Sequence, residues 1–179
     1  RSWTDFGLKF IDEALAAKKP FFLYLAHNAP HFPLQAPPED IARFRGKYLI
    51  GWDKLRQQRH ARQIDMGIVD KAWPLSPRPA EVKPWEDMSA QDNDRFDHIM
   101  AIYAAVVNHM DASVGRLVAG LRGRGVLDNT LILFMSDNGG NAESGPEGRL
   151  EGDQPGSAQS TVFCGQSWAT LENTPFRRY

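Results

Sequence analysis

Two short apolar runs restrict this chain more than any other feature. "FFLYLAH" (residues 21–27) and "TLILFMS" (residues 130–136) carry no charge before the terminal histidine of the first. A strand with one wet face alternates apolar and polar side chains, so an unbroken run reads as a strand covered on both faces. Each run follows a helical pattern. Thr4 can cap a helix over residues 5–18, with Phe6, Phe10, Ile11, Ala14 and Leu15 on one face; Lys18 and Lys19 suit its C-terminal end and Pro20 stops it. A longer helix is predicted over residues 89–122, where Ile99, Ile102, Val106, Met110, Val114, Leu117 and Leu121 recur at three- and four-residue steps before Gly123 and Gly125. Helix, strand, excursion, helix, strand is the order of an α/β protein, and a mainly parallel sheet flanked by helices is expected.

The remainder is less regular. Between residues 37 and 87, "PEDIARFRGKY" suggests a short helix and "GWDKLRQQRHARQIDMG" a charged surface helix. "AWPLSPRPAEVKPW" has four prolines and reads as an irregular surface crossing. Residues 139–166 are rich in Gly, Ser, Glu and Pro without periodicity, so one long loop is expected there. At 179 residues with 42% hydrophobic content, the chain is long enough for one domain with a real core. A net charge of -1 gives no electrostatic case for nucleic acid or an anionic membrane. No segment approaches the roughly 20 apolar residues that span a bilayer. The single cysteine, Cys164, excludes an internal disulfide framework and a Cys-rich zinc site.

Both apolar runs break into unusual polar loops, "HNAPHFPLQAPP" and "SDNGGNAESG". Ligands of parallel sheets gather beyond the carboxyl ends of the strands, so the two loops are expected on one sheet edge. Asp137-Asn138-Gly139-Gly140 is open to two readings. It is good turn chemistry, because Asn and Gly tolerate positive φ. Its carboxylate and carboxamide oxygens also suit calcium or magnesium, although two ligands cannot hold such an ion alone. His31, between Pro30 and Phe32-Pro33, is an imidazole in a stiffened loop that could give a hydrogen bond or proton to a substrate oxygen. His27 reads as a packed, hydrogen-bonded residue, and His60, His98 and His109 as surface or partly packed ones. Cys164 lacks any nucleophile motif and reads as a plain, partly buried thiol. Arg177 and Arg178 fit a solvated face, or anion contacts if an oxyanion pocket is near. The phosphate-binding, nucleophile-elbow and dinucleotide motifs are absent from the sequence.

Four segments, in order, carry a resemblance: "KPFFLYLAHNAPHFPLQAP", "YAAVVNHMDASVGRLVAGLRGRGVLDNTLILFMSDNGGNAE", the Gly-rich stretch and "SWATLENTPFRRY". With these the chain closely resembles the sulfatase family, in the arylsulfatase branch of the alkaline-phosphatase-like fold. The resemblance implies a partial α/β sandwich, with residues 1–179 as the central part of one catalytic domain whose nucleophile region and C-terminal region lie outside it. It implies that Asp137 and Asn138 are the second pair of ligands to a divalent ion, usually calcium, with magnesium second. It matches His31 to the histidine that contacts the sulfate and assists the leaving oxygen, and "NTPFRRY" to the lead-in to a sulfate-binding lysine. The family's nucleophile is a formylglycine made from a Cys-x-Pro-Ser-Arg or Ser-x-Pro-x-Arg motif, which this sequence lacks. Cys164 does not stand in for it, since its neighbours do not match. The implied activity is sulfuric ester hydrolysis on a small-molecule or carbohydrate sulfate ester, in a periplasmic or secreted setting. A phosphoester or phosphonate hydrolase of the same superfamily, or a partial domain without activity, are the alternatives.

Overall fold

The computed structural model is described over residues 2–176, so Arg177 and Arg178 lie outside the described residues. The chain forms two units, Arg1–Pro30 with Val107–Met135, and His31–Val106 with Ser136–Tyr179.

The first unit pairs α1 (Ser2–Ala16) with the second half of α4 (Ala90–Gly123). Thr4 and Ile11 are buried on the inner face of α1, with the Thr4 hydroxyl hydrogen-bonded to that of Ser113. Leu8 lies where a side chain on Gly120 would fall. Arg116 pairs with Asp5, and Arg124 clasps Asp12 through Nε and Nη2, both at 2.6 Å. Helix α4 ends as a small residue with positive φ dictates. Gly125 has φ 68°, the Val126 N–H reaches the Leu121 carbonyl, and the Gly125 N–H reaches that of Arg122.

Both apolar runs lie mainly in this unit, and among the described residues neither forms part of a sheet. Residues 21–27 alternate in exposure, with Phe22 93% and Tyr24 82% exposed while Phe21, Leu23 and Leu25 are half-buried. Leu131, Ile132, Leu133, Phe134 and Met135 are all exposed. Neither run pairs with another strand, so a mainly parallel sheet is not formed among the described residues. The physical reason is that a strand's N–H and C=O groups bond only to a neighbouring strand, and no such neighbour is present there.

The second unit holds α2 (Pro38–Ala42), α3 (Trp52–Asp65), the first half of α4, and α5 (Gly165–Glu172). Its sheet is a two-stranded antiparallel ladder, β1 (Arg149–Glu151) with β2 (Thr161–Phe163), in which Leu150 faces Val162. Residues 139–166, expected as one loop, therefore contain a β-ladder. At three residues each, these strands are too short to show a period.

Trp52 anchors the core of this unit. Its ring meets Trp85, Phe96 and Trp168 edge-on at 4.7, 4.9 and 5.4 Å between centroids. The buried indole N–H groups of Trp52 and Trp168 donate to the carbonyls of Lys83 and Phe96, as burial of a polar tip demands. Gly51 has φ 85°, and a Cβ there would sit 2.1 Å from Trp85, so only glycine turns the chain into α3 at this point. Asp97 is 1% exposed and accepts from Gly46 N at 2.8 Å, Tyr48 N at 3.0 Å and the Arg45 guanidinium. Ser89 caps α4 by accepting the Asp92 N–H at 3.1 Å, while its hydroxyl donates back to the Asp92 carboxylate. Among the described residues, no helix is long and apolar enough to cross a membrane.

Candidate functional site

The His31 loop is built on β2. Leu34 and Ala36 are buried, and their N–H groups donate to the carbonyls of Val162 and Gly156 at 3.1 and 2.9 Å. The rings of His31 and Phe32 stack at 4.4 Å, and Phe32 stacks on Phe163 at 4.4 Å. The Arg149 guanidinium covers Phe163, 5.6 Å from its centroid. His31 is thus exposed but held by a stack rooted in β1 and β2. Its Nδ1 lies 2.8 Å from the Phe32 carbonyl. A carbonyl only accepts, so Nδ1 carries hydrogen, and Nε2 is left as the atom able to exchange a proton with a ligand.

The Asp137 loop is built on α5. Inside it, the Ser136 hydroxyl donates to the Asn138 carbonyl, and Asn138 Nδ2 donates to the Gly139 carbonyl at 2.9 Å. Among the described residues no hydrogen bond or ion pair engages the Asp137 carboxylate or Asn138 Oδ1, and both residues are exposed. The loop docks at Gly140, whose N–H donates to Asn173 Oδ1 at 3.1 Å. A Cβ on Gly140 would fall 2.3 Å from Glu172 Oε2 and 3.2 Å from the Ala169 Cα. The approach of this loop to the last turn of α5 therefore requires glycine.

These oxygens fit a hard divalent cation as part of a ligand set: one carboxylate and one carboxamide, adjacent, exposed and without protein partners among the described residues. They do not complete one. Among the described residues no three His, Cys, Asp or Glu side chains are grouped to hold a metal. The structure fastens both predicted loops to the single stretch from β2 to Asn173. No hydrogen bond or ring contact joins His31 to Asp137 or Asn138 among the described residues.

Glu172, Asn173 and Phe163 are the residues that sequence reasoning missed. Glu172 is half-buried as a residue, but its Oε1 is shut away from solvent without a hydrogen-bond partner among the described residues. Burial of that carboxyl raises its pKa to about 7, against the opposing pull of the Cys164 thiol and of Arg59. Cys164 is fully buried, and burial together with the Glu172 charge pushes its thiol well above the ordinary range. It stays protonated at neutral pH, which disqualifies it as a nucleophile. His27 is half-buried, but its Nε2 has no partner among the described residues, unlike the hydrogen-bonded residue expected. His60 Nε2 donates to the Trp73 carbonyl at 2.9 Å, and His98 has its pKa lowered by burial and by Arg45.

A loop imidazole with one nitrogen available and a cation-suited oxygen pair, each fixed to a rigid element, are parts from which hydrolases of charged esters are built. The chain belongs to the sulfatase family, whose sequence model, described as Sulfatase, matches residues 1–165. It is 37% identical over 177 residues to an arylsulfatase of Klebsiella aerogenes, covering 93% of this chain and 38% of that protein. It is 32% identical over 189 residues to an uncharacterized sulfatase of Schizosaccharomyces pombe, covering 96% and 34%. It is 30% identical over 141 residues to the human N-sulphoglucosamine sulphohydrolase, covering 79% and 25%. The chain thus spans less than two-fifths of the length of each of these relatives.

Proposed function

We propose that this chain is the central part of the catalytic domain of a sulfuric ester hydrolase of the arylsulfatase type. The observation that carries the reading is the anchoring of both polar loops, with His31 on one and Asp137-Asn138 on the other, to the continuous β2–α5 stretch of a sulfatase-family chain.

In this reading Asp137 and Asn138 supply two of the oxygen ligands to a calcium ion, with magnesium as the second choice. The bound ion would offset negative charge on the sulfate oxygens, and a formylglycine from the remainder of the domain would be the nucleophile. The contribution of this chain is positioning and proton transfer. The Phe32 carbonyl holds the Nδ1 hydrogen of His31, so Nε2 is the nitrogen that passes a proton to the departing alcohol oxygen, which the doubly protonated ring supplies in returning to its neutral Nδ1–H form. Stacking on Phe32, itself stacked on Phe163, keeps that ring in one plane, which reduces the entropy lost on reaching the reactive geometry. The substrate is a small-molecule or carbohydrate sulfate ester.

The test is side-by-side turnover of 4-nitrophenyl sulfate and 4-nitrophenyl phosphate by the intact enzyme. A higher kcat/KM on the sulfate is expected; a higher value on the phosphate would replace this reading with a phosphoester hydrolase.

A further inference from the structure

We infer that Asn173 is a positioning residue that presets the Asp137-Asn138 pair for its cation, through Gly140. The inference rests on the proposed metal-binding role of that pair. Asn173 sits just past the last turn of α5, and both ends of its carboxamide are used. Nδ2 donates to the Ala169 carbonyl at 2.8 Å, which aims Oδ1 at the Gly140 N–H, 3.1 Å away. The backbone around it is pinned as well: Asn173 N donates to the Ala169 carbonyl at 3.0 Å, and Phe176 N donates to the Asn173 carbonyl at 2.8 Å. The acceptor is therefore fixed before the loop meets it.

The loop side is equally constrained. Gly140 lies against Ala169 and Glu172 so closely that no side chain fits, and it is two residues from Asn138. The contacts within the loop that carries the ligands are its own short-range bonds, from Ser136 to the Asn138 carbonyl and from Asn138 to the Gly139 carbonyl. Those bonds shape the turn but do not place it on the protein. The Asn173 bond and the Gly140 contact do. Partners that orient ligands in this way typically change metal affinity by about 10- to 100-fold when removed.

Calcium affinity of the metal-stripped intact enzyme, measured by titration calorimetry, tests this directly. Asn173→Leu keeps the approximate volume and removes both hydrogen bonds; Gly140→Ala forces the loop away from α5 and carries the same test should Asn173→Leu not fold. Each is expected to weaken calcium binding by about tenfold or more. The double variant should lose little beyond the worse single one, because both act through one docking contact. Terbium bound in place of calcium should show more coordinated water in either variant, by its luminescence lifetime in H2O and D2O. A lower melting temperature of the stripped protein with native calcium affinity and native terbium hydration would mean a structural role only, and would overturn the inference. Asp137→Ala separates the two claims. Should it bind calcium normally, the metal-site reading fails and this inference with it; should it lose calcium while Asn173→Leu and Gly140→Ala keep it, the positioning role alone fails.

Discussion

Replacing Glu172 by Gln should stabilise the protein at pH 8 and leave it nearly unchanged near pH 4. The carboxyl has its pKa raised from 4.5 to about 7 by burial, a difference of about 2.5 units. At 1.36 kcal/mol per unit, ionising it in the folded state costs about 3 kcal/mol relative to the unfolded chain. The sign follows from proton binding. Between the unfolded value and about 7 the folded state holds a proton that the unfolded state has released, so stability falls as pH rises through this window and levels off above it. Below the window both states are protonated and the cost is absent. Glutamine keeps the shape and an acceptor for the Cys164 thiol but cannot ionise. Urea denaturation of wild type and variant at pH 4.5 and pH 8 measures the effect, with a comparable slope in both showing that only stability has changed. The expected difference grows by about 3 kcal/mol across that interval. A difference independent of pH would refute the argument that burial raises this carboxyl.

Three further outcomes follow from the same geometry. His31→Ala should lower kcat of the intact enzyme by about 10²- to 10⁴-fold while calcium affinity, read by calorimetry, stays near wild type, and the loss should be larger for alkyl than for 4-nitrophenyl leaving groups, since a good leaving group needs less proton donation. Asp97→Ala leaves Arg45 and two N–H groups without their shared acceptor, and should cost about 3–5 kcal/mol in denaturant unfolding. Cys164 should resist iodoacetamide in the folded protein at pH 8 and react only after denaturation, as mass spectrometry of the modified chain would show.

Local signals were readable where a feature depends on neighbours in sequence. The three- and four-residue spacing and the terminal glycines predicted a helix over residues 89–122, and α4 runs Ala90–Gly123. The predicted helix over 5–18 appears as Ser2–Ala16, shifted toward the N-terminus, with Lys18 taking a positive φ just beyond it. The charged helix of the excursion is α3. Strand pairing was not readable in the same way. The apolar runs carry the composition of covered strands, but cover and hydrogen bonds come from residues distant in sequence, and the described residues do not supply them. Helix α5 escaped notice because it is eight residues long and begins at Gly165, with φ 70° and no side-chain cap.

The same division holds at the site. His31, Asp137 and Asn138 stood out because each sits where an apolar run gives way to Pro- or Gly-rich polar sequence. What fixes those loops did not stand out. Phe163 belongs to a three-residue strand, and the "NTPF" segment gave no sign that its Asn173 holds Gly140, a residue 33 positions away. Glu172 looks like any surface carboxylate until the loop closes over it.

Calcium titration of the stripped intact enzyme beside its Asp137→Ala variant tests the central claim most directly. The native protein is expected to bind calcium and hydrolyse an aryl sulfate, and Asp137→Ala to lose the ion and most of the turnover. Wild-type calcium affinity in Asp137→Ala would contradict that claim.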